Sequence, residues 1–217
     1  GPIEASAAEI DYLCDGASRF FRQPVTPADV VWTYSGVRPL IDDGSGRPEA
    51  ATRGYDLDLS EAHEGAPLLS VYGGKITTYR RLAAEAAEML GARLPVLEGD
   101  DWTGGEPLPG GDFAVDGATA LEAEFARRFP FLAGAAHRLV RAYGTTALAI
   151  FDGASDKDDC GLDFGHGLTE REVRHLVQRE WARSADDVLW RRTKLGLRFL
   201  PEEAARLEEF IMQECPQ

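Results

Sequence analysis

The chain has 217 residues, 44% of them hydrophobic, with 23 Lys and Arg against 37 Asp and Glu for a formal net charge of −14. That is enough apolar material for a buried core, arranged as one large domain or two small ones, and two units are expected. The acidic balance argues against a nucleic-acid partner, because phosphate binding needs a surplus of Lys and Arg on one face.

No run approaches the ~18 uninterrupted apolar residues of a membrane-spanning helix. The start Gly1-Pro2-Ile3-Glu4 has neither a basic nor an apolar signal region. The default is therefore a cytoplasmic protein, soluble or attached to a surface. Cys14, Cys160 and Cys215 are odd in number and far apart. They suggest neither a disulfide framework nor a thiolate metal site, and no metal is expected.

Ser6 and Glu9 form a capping-box pattern ahead of Ile10, Leu13, Cys14, Ala17, Phe20 and Phe21 at helical spacing, which predicts an amphipathic helix over 6–22. Pro24 and Pro27 end it, and the β-branched and aromatic run Val30 to Tyr34 reads as a strand. A loop over 41–48 leads to a short strand over 55–59 and another over 68–72. Residues 76–90 place Ile76, Tyr79, Leu82, Ala83, Ala86, Ala87 and Leu90 on one stripe, with Gly91 at the stop. From Pro95 to Asp116 the chain turns to Gly, Pro and acidic residues, the composition of a linker. Beyond it nearly everything reads as helix, over 117–129, 134–143, 145–152, 169–182, 185–195 and 201–213. Thr169 with Glu172 and Ser184 with Asp187 are start signals there.

The junction Leu68-Leu69-Ser70-Val71-Tyr72-Gly73-Gly74-Lys75-Ile76-Thr77-Thr78-Tyr79 carries the most chemistry. Adjacent glycines let backbone N–H groups approach a ligand, and the following helix points its positive end at the same place. Lys75 adds a charge, and Thr77 and Thr78 add hydroxyls for capping or for a ligand. A tight turn with a capping threonine and a solvated lysine accounts for the pattern equally well.

Upstream lie Val30 to Leu40, containing Gly36-Val37-Arg38-Pro39-Leu40, and Ala51-Thr52-Arg53-Gly54-Tyr55. With the glycine-lysine junction, and with Leu139 to Gly144, Asp163 to His166 and Trp181 to Lys194, they cover nearly the whole chain in one family's order. The chain resembles the FAD-dependent glycerol-3-phosphate dehydrogenases. That family opens with a βαβ unit whose G-x-G-x-x-G turn receives the FAD pyrophosphate, and no such pattern occurs in these 217 residues. The resemblance therefore implies the C-terminal portion of the enzyme.

The fold implied is α+β followed by α. A partial FAD-binding domain of the glutathione-reductase-like, DAO type with a few strands spans 1–100, a linker 101–116, and an all-α C-terminal domain 117–217. The parent enzyme would oxidise sn-glycerol 3-phosphate to dihydroxyacetone phosphate by hydride transfer to FAD and pass electrons to quinone, with this portion inactive alone. The reading leaves room for a homodimer and for peripheral contact with the inner face of the cytoplasmic membrane. A glycerophosphate oxidase using oxygen is the alternative within enzymes, and a non-enzymatic helical interaction module the alternative outside them.

Residue by residue, the resemblance gives Arg38 a catalytic place facing flavin and substrate. It makes Arg53 and Lys75 candidates for the substrate phosphate, and assigns Gly73, Gly74, Lys75, Ile76 and Thr77 to the cofactor. Without it, an ion pair between Arg38 and Asp42 or Asp43 is the simpler account. Gly54 departs from the polar or acidic residue expected beside Arg53.

His63, His137, His166 and His175 show no ligand spacing and read as structural or exposed, and Asp163-Phe164-Gly165 reads as a turn. Trp181 to Lys194 combines tryptophans with cations, which suits either a membrane-surface helix or, more simply, packed helices whose arginines pair with Asp186 and Asp187. Arg80, Arg81 and Arg93 form a basic edge near Lys75 that Glu85 and Glu88 dilute.

Overall fold

The computed structural model describes residues 3–37, 54–60, 66–91, 93–94, 96 and 99–214. The chain divides into two compact units, Gly1–Glu106 and Pro107–Gln217.

In the first unit, helix α1 (Ala7–Ser18) starts where the capping box puts it, with the Glu9 N–H on the Ser6 hydroxyl and the Glu9 carboxylate on the Ser6 N–H. It stops at Ser18, whose hydroxyl turns back to the Cys14 carbonyl and also takes the Val25 N–H. Strands β1 (Tyr55–Ser60) and β2 (Leu68–Gly73) pair antiparallel with Tyr55 opposite Gly73 and Ser60 opposite Leu68. A 3-10 turn over Ile76–Thr78 then runs into helix α2 (Tyr79–Gly91).

The strand expected over Val30 to Tyr34 does not form: among the described residues this stretch pairs with no strand. Extended backbone becomes a strand only when a neighbour takes its N–H and C=O groups. Here Trp32 and Tyr34 stack on each other at 5.3 Å instead, and Val31 stays 88% exposed.

The second unit contains almost all of the buried apolar side chains. Helices α3 (Ala118–Arg128), α4 (Ala136–Tyr143) and α5 (Thr146–Ile150) lead to a hairpin of β3 (Asp163–Gly165) and β4 (Leu168–Thr169). Helix α6 (Glu170–Arg179), a π-helical turn over Asp187–Arg192 and helix α7 (Pro201–Glu214) complete it. The core is built on Phe125, Phe129, Phe151 and Phe164, with Leu139, Leu176, Leu207 and Ile211 around them.

The hairpin corrects the expectation of an all-α domain and of a bare turn at Asp163-Phe164-Gly165. Phe164 and Leu168 are fully buried, and the two-residue connection His166-Gly167 has positive φ at both positions, as tight hairpins demand. Of the stretch read as linker, residues 107–116 fall in the second unit. The Thr145 N–H donates to the Gly110 carbonyl at 3.0 Å, and Asp112 bonds the Thr145 hydroxyl.

Candidate functional site

Gly73, Gly74, Lys75, Ile76 and Thr77 lie together where β2 leaves the hairpin for α2. Gly73 and Gly74 have φ of 72° and 99°, a region that side chains with a Cβ rarely enter. The Gly74 N–H donates to the Gly54 carbonyl at 2.8 Å, which carries the ladder one step past Tyr55 and fixes where the chain turns away.

Lys75 returns to extended backbone, and Thr78 is the residue that caps. Its hydroxyl accepts the Lys75 N–H at 3.2 Å and donates to the Lys75 carbonyl at 3.0 Å. Thr77 is thereby left exposed beside Lys75 and Ile76. Among the described residues nothing accepts the N–H groups of Ile76 and Thr77, and no carboxylate pairs with Lys75. These are the open donors of a helix start, gathered beside a positive charge.

The flanking arginines are committed elsewhere. Arg80 holds Asp101 at 3.0 Å, and the Thr103 hydroxyl together with that guanidinium keeps the Asp101 carboxyl below its usual range. Arg81 Nε donates to Glu85 at 2.9 Å. The Tyr55 hydroxyl donates to the other Glu85 oxygen at 2.7 Å, which lowers the Glu85 pKa and raises that of Tyr55. The basic edge read near Lys75 is thus largely neutralised at Arg80 and Arg81. Sequence reasoning missed the Tyr55 and Glu85 pair, whose members stand 30 residues apart. Only the packing of α2 against β1 makes them neighbours.

Arg38, Arg53 and His63 lie outside the described residues. His137 pairs with Glu122 at 3.1 Å and His166 with Glu203 at 3.4 Å. His175 packs edge-on against Tyr143, and its burial lowers its pKa. No group of three or more metal-ligating side chains converges among the described residues, and no helix there is long and apolar enough to cross a membrane.

In the stretch Trp181 to Lys194, Arg191 pairs with Asp187 at 3.0 Å and Arg192 reaches Glu180. Trp181 itself is 80% exposed at a positive φ of 58°.

The second unit holds a buried polar cluster that the pattern misread. Arg138 donates to both Glu172 oxygens, at 2.6 and 2.7 Å, and to the Gly167 carbonyl at 2.7 Å. The Tyr143 hydroxyl adds a bond to Glu172 at 2.8 Å. Glu172 is therefore not the capping partner of Thr169. The Thr169 hydroxyl makes no cap bond and is buried without a partner among the described residues.

Comparison with known proteins defines the class first. Residues 102–213 match the family described as the C-terminal domain of alpha-glycerophosphate oxidase, and the chain belongs to that family. It is also 41% identical over 219 residues to the aerobic glycerol-3-phosphate dehydrogenase of Escherichia coli K12, covering 99% of this chain and 43% of the relative. The glycerol-3-phosphate dehydrogenase of Pseudomonas aeruginosa is 41% identical over 99% of this chain and 42% of its own length. The D-erythritol 1-phosphate dehydrogenase of Brucella abortus is 41% identical over 96% and 41%. The chain thus corresponds to a C-terminal portion of the glycerol-3-phosphate dehydrogenases and spans about two fifths of the length of these relatives.

Proposed function

We infer that the chain forms the C-terminal portion of a flavoprotein that oxidises sn-glycerol 3-phosphate to dihydroxyacetone phosphate, with FAD as hydride acceptor and membrane quinone as the next electron carrier. The observation that carries this reading is the junction itself. A glycine pair without Cβ atoms, and two N–H groups and a Lys75 that have no partner among the described residues, open on one exposed turn at the start of α2.

The donor set fits an electron-rich ring edge, because a flat group can approach the main chain at Gly73 and Gly74 while the helix end favours negative charge. FAD, when bound, supplies the hydride acceptor, and Gly73, Gly74, Lys75, Ile76 and Thr77 would hold its ring. Lys75 and Arg53 would share the substrate phosphate, which carries between one and two negative charges near neutral pH. Arg38 would fix the oxygen on the carbon being oxidised. With no G-x-G-x-x-G turn in the chain, the reading places the FAD pyrophosphate outside these residues. It assigns 1–100 to the FAD and substrate domain, 101–116 to a linker and 117–217 to a helical domain, with peripheral contact at the inner membrane face and a homodimer as its proposed setting.

Two variants of the reading have support of their own. The family description names an oxidase, which favours oxygen as acceptor, and hydrogen peroxide release separates the two. The Brucella relative supports a longer polyol phosphate at equal identity.

Titration of the isotope-labelled 217-residue chain with sn-glycerol 3-phosphate tests the junction. Shifts confined to the Gly74 to Thr77 amides are expected, with an affinity on the order of millimolar for a half-built site. Glycerol should produce none, and Lys75→Ala should weaken the response about tenfold. A wild-type chain whose junction amides ignore the phosphate ester would sink the reading.

A further inference from the structure

The geometry points to Tyr55 and Glu85 as positioning residues that aim the Gly73 to Thr77 junction, an inference that rests on the functional reading above. The glycine pair lets the chain turn there, but freedom at two glycines cannot by itself say in which direction α2 leaves the sheet. Something outside the turn has to do so.

Tyr55 stands opposite Gly73 in the hairpin register, so its side chain begins at the base of the junction. A Cβ built on Gly74 would lie 3.7 Å from the Tyr55 Cβ and 3.4 Å from the Leu82 Cδ1, which places the junction backbone against both side chains. From there the Tyr55 ring reaches along α2 until its hydroxyl donates to Glu85 Oε2 at 2.7 Å. Glu85 Oε1 is taken by Arg81 Nε at 2.9 Å, so both carboxylate oxygens are engaged and the acceptor is held in one orientation.

The tie therefore joins β1, the partner of the strand that enters the turn, to the helix that leaves it, bypassing the glycines. It fixes the line along which the Ile76 and Thr77 N–H groups and the Lys75 side chain are presented. Neither Tyr55 nor Glu85 has to touch a ligand to do this.

The test uses the full 217-residue chain and reads amide hydrogen exchange residue by residue. Tyr55→Phe removes only the hydroxyl, Glu85→Ala removes the acceptor, and Glu85→Gln keeps an oxygen that can accept from Tyr55. Exchange of the hydrogen-bonded Gly74, Lys75 and Thr78 amides is expected to quicken about fivefold in the first two variants and to return within about twofold of wild type in the third. The amides of α1 and of the second unit should not change.

Unchanged exchange in Tyr55→Phe and Glu85→Ala would overturn the proposal. So would a uniform rise across the first unit, which marks lost packing rather than lost aim, or a Gln variant no better than Ala. The phosphate-ester titration of the wild-type chain separates the two ideas. If the exchange pattern is as expected while the ester shifts nothing, the positioning pair stands and the flavoenzyme reading falls.

Discussion

Glu172 sits three residues after Thr169, the spacing of a capping box, yet its carboxylate is fully buried against Arg138 and Tyr143. The reason is a comparison of partners. A capping box would give the carboxylate one backbone N–H, whereas the bidentate guanidinium and the Tyr143 hydroxyl give it three donors, an opposite charge among them, and satisfy otherwise stranded groups in the core. Arg138 stands 34 residues away, so no local pattern could announce it. Burial and the adjacent carboxylate also push the Tyr143 hydroxyl far above its ordinary pKa, so it remains a donor at all working pH values. Removing one partner of a buried pair leaves the other charge uncompensated, so Glu172→Ala is expected to lower the stability of the second unit by ~3–5 kcal/mol in denaturant unfolding. Thr169→Val is the contrasting case. Its hydroxyl is buried with no partner among the described residues, so the isosteric apolar side chain should be neutral or stabilising by up to ~1 kcal/mol. A large loss in the valine variant would mean that the hydroxyl has an essential partner.

At the scale of elements, what could be read from sequence depended on whether the deciding contacts were local. Helix α1 begins at its capping box and α2 follows its apolar stripe, because their determinants lie within a turn or two. The junction at Gly73-Gly74 was legible for the same reason, whereas the division of labour between Thr77 and Thr78 needed the structure. The strand expected at Val30 to Tyr34 failed, and the β3 and β4 hairpin went unseen, because strands exist through partners and His166-Gly167 is an unusual hairpin turn. The glycine crossing that ties 107–116 to the second unit was equally hidden. Gly110 and Gly144 both have positive φ, and a Cβ on either would collide with the backbone of the other's segment. Gly153 also has positive φ, but open space surrounds the place its Cβ would occupy. Alanine at 153 is therefore expected to cost ~1 kcal/mol of unfolding free energy, the conformational penalty alone. At 110 or 144 the cost should exceed ~3 kcal/mol, because backbone must also move. Equal costs at all three positions would show that the crossing is not a close packing point.

On the scale of the whole molecule, apolar burial is unevenly shared. The buried cluster from Leu121 to Ile211 lies wholly in the second unit, and in the first unit only Cys14 among the described hydrophobic residues is buried. Phe20, Phe21, Tyr34 and Ile76 remain exposed there, Phe20 at 87%. Since apolar burial is the main favourable term in folding, the two units cannot have equal resistance to opening. Amides of α4, α6 and α7 are expected to exchange on the order of 100-fold more slowly than those of α1 and α2, and a single global rate would contradict this division. The same imbalance bears on cofactor retention. A flavin held only by the junction would rest on the less protected unit, with its pyrophosphate lacking a glycine-rich turn. The purified chain should accordingly be colourless and without dye-linked activity toward sn-glycerol 3-phosphate. Flavin absorbance that survives gel filtration would mean that these residues hold the pyrophosphate by a route other than the glycine fingerprint.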